Sequence, residues 1–186
     1  MKRAATLILA LLLALALTAC GGSGGNDVKA KDGYGEGGIG NLIHSYFFDY
    51  TVNSAALADS YGSHTPAAGY KSLVLNLTIT NTYQAEEPIE MYDTDFQLQW
   101  GPEENEDSFA LPITTDPDSK GEIPTVTDEQ LPYIYNLDYK ETRTGDLVFD
   151  VPEDVKEFSL VMQEMFDDGS EEGATGDFFA VNFTVE

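Results

Sequence analysis

The sequence predicts an all-β fold: about seven to eight antiparallel strands packed as two sheets around one core. Three observations predict it. Past residue 41, apolar residues recur with a period of two in one run after another. Stretches rich in Gly, Pro, Asn and Asp separate those runs. No long segment carries the helical period, and residues 59–68 and 127–131 have room for one helical turn at most.

Before the strands come two segments of different character. Met1, Lys2 and Arg3 are followed by Ala4–Leu17, which apart from Thr6 is Ala, Leu and Ile only. A charged start before a short apolar run is the pattern of a secretory signal peptide. The run is shorter than the roughly twenty residues a spanning helix needs, and Gly21-Gly22-Ser23-Gly24-Gly25 ends it. Leu17-Thr18-Ala19-Cys20 closes the segment, and Cys20 is the only cysteine. This tetrapeptide resembles the lipobox of bacterial lipoproteins. The resemblance implies a diacylglyceryl group on the Cys20 thiol, cleavage after Ala19, and a lipid anchor on the extracytoplasmic face of the cell membrane. Several acyl chains on one residue make a lasting anchor, because each buried CH₂ contributes about 0.8 kcal/mol. The expected division is therefore signal peptide 1–19, lipidated Cys and flexible Gly-rich tether 20–40, and folded domain 41–186. A tether of ~20 residues reaches roughly 25 Å.

The strand runs follow in order. Tyr46, Phe48, Tyr50 and Val52 alternate with Phe47, Asp49, Thr51 and Asn53. Leu73, Leu75, Leu77 and Ile79 share one face, with Val74, Asn76, Thr78 and Thr80 on the other. Phe96, Leu98 and Trp100 come next, then Tyr133, Tyr135, Leu137 and Tyr139. Leu147, Phe149 and Val151 precede Phe158, Leu160 and Met162, and Phe179, Val181, Phe183 and Val185 close the chain. Intervening turns fall at 81–88, 101–108, 116–127, 151–154 and 167–176.

The order of these pieces resembles the DUF4352 family. Gly69–Asn81 is similar to that family's long strand ending in Asn, and Phe48–Ser54 to its first strand. Asp95-Phe96-Gln97-Leu98 and Thr144–Pro152 resemble two later segments, so the likeness spans roughly residues 45–165. The resemblance implies an immunoglobulin-like antiparallel β-sandwich, often carried by bacterial lipoproteins, and no general activity. Three features depart from the pattern: an acidic insertion at 103–127, a glycine-poor segment before Thr142, and an added strand at 178–185.

Composition narrows the chemistry. Cleavage after Ala19 would remove Lys2 and Arg3 and no acid, taking the net charge from −24 to −26. Such a surface repels nucleic acid and anionic lipid, so no nucleic-acid partner is expected. Ten Tyr and ten Phe argue for a packed core despite the charge. Only His44 and His64 could serve as imidazole bases, and both read as surface or edge residues. No phosphate-binding glycine loop and no zinc spacing are present. No enzyme, cofactor or catalytic residue is therefore expected.

Calcium is the one metal with candidate loops: Glu103–Asp107, Asp116-Pro117-Asp118 and Asp167–Glu172. The last is the best of them, although Asp-Asp-Gly equally makes a plain hairpin turn. Tyr61, Tyr70, Tyr83 and Tyr92, in or near turns, are the aromatics expected to be exposed. The functional expectation is a non-catalytic interaction or binding module, held to the membrane through Cys20, with an envelope protein as the partner class. The alternative is a ligand- or calcium-binding lipoprotein assisting a transporter or envelope complex.

Overall fold

A computed structural model describes residues 27–101, 108–166 and 174–186. Twelve strands occur among them: β1 (Asp27–Lys29), β2 (Tyr34–Gly38), β3 (Leu42–His44), β4 (Phe48–Ala58), β5 (Tyr70–Asn81), β6 (Ile89–Tyr92), β7 (Gln97–Gln99), β8 (Phe109–Ala110), β9 (Ile134–Leu137), β10 (Thr142–Pro152), β11 (Glu157–Phe166) and β12 (Ala174–Thr184). One sheet has the order β1-β3-β4-β5-β10, the other β2-β12-β11-β7-β8, and β6 pairs with β9 in a small ribbon. The only helical turn among the described residues is a 3-10 turn at Asp93–Asp95.

The alternating runs face inward as their periodicity requires. Leu73, Leu75, Leu77 and Ile79 on β5 are fully buried against Leu147, Phe149 and Val151 on β10 and Tyr50 and Val52 on β4. Phe158, Leu160, Met162, Phe179 and Val181 supply the facing layer from β11 and β12. The outward face of the first sheet is polar and closed on itself. Thr78 and Thr144 hydroxyls lie 2.8 Å apart and those of Thr80 and Thr142 2.9 Å apart. Asn53 Nδ2 donates to Asn76 Oδ1, and Asn76 Nδ2 to Asp146 Oδ1.

The chain folds as the expected β-sandwich, and the structure differs from expectation in three details. The segment read as tether is partly folded. β1 and β2 lie within residues 27–40 and add a strand to the edge of each sheet. The glycines there serve close packing as well as freedom: a Cβ on Gly35 would sit 2.6 Å from the Phe179 ring. Second, the pairing is not wholly antiparallel, since β1 runs parallel to β3 and β2 to β12. Third, the described residues hold twelve strands where about seven to eight are expected, because the N-terminal strands and short pieces such as β8 carry too few residues to show a period.

The insertion after β7 also has a structural role. Its described part, with the residues that follow it, lies along the outer edge of β10: Ile113 N–H donates to Val148 O and, just past the insertion, Leu131 N–H to Asp146 O. Val148, on the outward face by alternation, is buried. An exposed edge strand invites pairing with other chains, and this segment covers it.

Candidate functional site

The site lies at one end of the sandwich, where the start of β4, the turn after β5, β6 and the end of β11 converge. Ser45 forms the turn into β4, its hydroxyl 2.5 Å from Phe48 O. The next residues, Tyr46 and Phe47, stand at the head of the strand, and Tyr46 is exposed. Phe47 packs against Tyr83 and against Phe166, each at 5.3 Å between ring centroids. Tyr46 meets Phe166 at 5.1 Å. Such tilted and edge-on pairs align ring edges with faces.

Two polar residues hold these rings in place. Asn81, fully buried, donates from Nδ2 to Glu87 O and Leu137 O and accepts from Tyr83 N–H. It thereby fixes the turn that carries Tyr83, which gives a physical role to the Asn ending the long strand. Glu164 is the second. It is buried on β11, and its Oε1 accepts Tyr46 N–H at 2.7 Å while Oε2 accepts Asp177 N–H at 2.9 Å. The β11–β12 register shifts beside it, with two β12 residues, Gly176 and Asp177, opposite the single Glu164. This is a β-bulge, and the side chains of Glu164 and Gln163 take up the backbone groups it frees. A Cβ on Gly176 would lie 2.5 Å from Glu164 Oε2, so the close approach requires glycine.

Between these groups is a cavity of about 350 Å³. Phe47, Phe48, Tyr83 and Tyr92 contribute aromatic wall, and Met91, Met162 and Met165 contribute thioethers. Glu90, Asp95 and Glu164 are its acidic lining residues, and among the described residues no Lys, Arg or His lines it. Tyr92 O–H donates to Glu90 Oε1 at the exposed rim. Asp95 Oδ2 accepts Tyr92 N–H, yet burial dominates and pushes the carboxyl up to about 6. None of the three carboxylates forms an ion pair with a basic side chain among the described residues.

Asp93, two residues earlier on the same 3-10 turn, is treated differently by the fold. Its buried carboxylate accepts the hydroxyls of both Thr114 and Thr115, the latter at 2.8 Å. Burial still raises it, with those hydroxyls opposing the rise. Asp93 therefore clasps the insertion to the core and is absent from the cavity lining. A second, wider groove of about 560 Å³ runs past Trp100, with Gln99, Ser159 and Asn182 along it. It is more open and more polar than the first.

A family model described as "Domain of unknown function (DUF4352)" matches residues 38–172. The chain belongs to the DUF4352 family. Its match begins in β2, consistent with a folded domain that starts before residue 41. Among solved structures, this DUF4352 chain is similar to the Bacillus subtilis "putative lipoprotein (ycdA)", with 14% identity and a TM-score of 0.53. That likeness covers 77% of this chain and only 38% of the other. It is also similar to the yjhA protein of Bacillus subtilis, at 15% identity and a TM-score of 0.52, covering 81% of this chain and 99% of that one. At such identities the likeness is one of fold. No curated protein matches.

The expected site residues of the DUF4352 chain divide as follows. Cys20 and the signal segment lie outside the described residues, as do the loops Glu103–Asp107 and Asp167–Glu172. Asp116 is described: its Oδ1 accepts the backbone N–H groups of Asp118 and Ser119, which hold the carboxyl below its usual range. Among the described residues no three His, Cys, Asp or Glu side chains are placed to share a metal ion. His64 Nε2 lies 2.9 Å from Asp150, and His44 Nδ1 lies 3.0 Å from Asp49. Neither ring bonds a Ser or Thr hydroxyl among the described residues.

Of the four tyrosines expected to be exposed, Tyr83 and Tyr92 meet in the cavity. Tyr70 is exposed at the start of β5. Tyr61 is instead tied down, its hydroxyl bonding Thr127 and Asp146, and burial pushes it up to about 12. Sequence reasoning missed Phe47, Asp95 and Glu164. One signal for Glu164 was present: it continues the inward series Phe158, Leu160, Met162, where a charged residue is out of place.

Proposed function

We propose that this protein is an extracytoplasmic lipoprotein, anchored by lipid on Cys20, whose sandwich is a non-catalytic binding module using the cavity between β4, β6 and β11. The observation that carries the binding reading is that cavity. It is a partly enclosed apolar space with a few polar groups converging on it, one of them strongly perturbed. The anchor reading is supported by Leu17-Thr18-Ala19-Cys20 after a charged and apolar start. Among the described residues no helix is long and apolar enough to cross a membrane. The non-catalytic reading is supported by the two imidazoles, each engaged, among the described residues, by carboxylate side chains.

Two experiments test the two halves. Labelled fatty acid enters the wild-type chain in a bacterial host and is lost in Cys20→Ala; label retained in the variant overturns the anchor. For the cavity, a small-molecule fragment screen is read by the methyl signals of Met162 and Met165. Shifts confined to residues around Trp100, or no shifts at all, overturn the cavity as the binding site.

A further inference from the structure

Resting on that binding reading, we infer that the cavity takes an organic cation: an ammonium group carried on an apolar or aromatic body. The walls and the charge select this class together. Phe47, Tyr83 and Tyr92 provide rings whose faces attract a cation, with attraction growing as water is excluded. Met162 and Met165 add polarisable, adaptable contact to an apolar body.

The carboxylates exclude the other classes. An anion would meet Glu90, Asp95 and Glu164 with no basic residue among the described lining residues to oppose them. A neutral apolar ligand would take further water from Asp95 and Glu164 and offer no charge in return, which disfavours it. A hard divalent ion needs six or more oxygen ligands for calcium, or near-octahedral oxygens for magnesium. Rings and thioethers do not supply these, and no three metal-ligating side chains converge among the described residues.

Asp95 is the residue that would sense the cation most. Glu164 already receives two backbone N–H groups, whereas Asp95 receives one and is opposed by the neighbouring Asp93 charge. Glu90, at the rim with its oxygen on Tyr92 O–H, would guide the cation inward. A volume of about 350 Å³ suits a single small molecule, at the lower end of the usual range for such sites.

The test compares three probes with one aromatic body and three charges: phenethylammonium, phenethyl alcohol and phenylacetate. Each is titrated calorimetrically into the mature chain carrying Cys20→Ser, with the Met162 methyl signal followed in parallel. Phenethylammonium is expected to bind with a shift at Met162, at least tenfold tighter than the alcohol, with no binding of phenylacetate. Asp95→Asn keeps an oxygen for Tyr92 N–H and should weaken phenethylammonium by roughly tenfold while leaving the alcohol unchanged. If the alcohol binds at Met162 as tightly as the ammonium, the cation inference fails while the cavity stands. If none of the three moves Met162, the cavity reading fails with it.

Discussion

The outward face of the first sheet and the cavity end both gather polar side chains, and they use them in opposite ways. On the sheet face, Thr78 is matched by Thr144, Thr80 by Thr142, and Asn53 by Asn76, so the groups satisfy one another. At the cavity, Asp95 and Glu164 are partly desolvated carboxylates whose partners are backbone N–H groups, and among the described residues no basic side chain answers them. A polar array that closes on itself stabilises a surface. Buried charge without a counter-charge is costly, and folds retain it mainly where it organises structure or meets a ligand.

The sharpest way to break this comparison is Glu164→Ala. It would leave Tyr46 N–H and Asp177 N–H without acceptors and loosen the bulge, and should cost about 3 kcal/mol in urea unfolding. A loss under about 1 kcal/mol would show that the buried carboxylate does not hold this end together. Next comes Thr115→Val, which removes a hydroxyl from the buried Asp93 carboxylate and should cost about 2 kcal/mol.

Asp95→Asn should act in the other direction. Burial raises Asp95 from 3.8 to about 6, so the folded state holds its proton more tightly than the unfolded chain does. Below 3.8 both states are protonated and the group contributes nothing. As pH rises from there through about 6 the wild type loses stability, and above 6 the full penalty is present. The variant should therefore be about 2 kcal/mol more stable than wild type at pH 7, with the difference vanishing near pH 4. Denaturant midpoints at the two pH values check it, and a variant less stable at pH 7 refutes the desolvation account. The smallest effect belongs to the sheet face: Thr144→Val removes one exposed hydroxyl pair and should change stability by about 0.5 kcal/mol at most.

Much of the fold was legible because alternation reports burial directly. Leu73 to Ile79, Phe158 to Met162 and Phe179 to Val185 all face the core their period assigns. Tyr46 is the instructive exception: it continues the series Phe48, Tyr50, Val52 in sequence but lies before the strand begins, exposed beside Phe166. Gly35 is another. A run of glycines reads as slack chain, and only the Phe179 ring above it reveals that the missing side chain is a fit.

The candidate site was legible only in fragments. Tyr83 and Tyr92 stood out as turn aromatics, but nothing local joined them to Phe47 or to Glu164, which lies 118 residues beyond its partner Tyr46. Asp93 and Asp95 read alike in the chain. Their difference comes from the threonines 21 and 22 residues away that reach Asp93.

By itself, then, the sequence determined the class of fold, the inward faces of the long strands, the acidic surface and the lipobox-like Cys20, because period, charge and short motifs are local properties. The tertiary structure alone decided that residues 27–38 join both sheets, that the insertion shields β10, and that rings, thioethers and uncompensated carboxylates share one cavity. Those outcomes depend on which distant segments come to lie side by side, and burial then gives the same Asp or Glu a different energy according to the neighbours it meets.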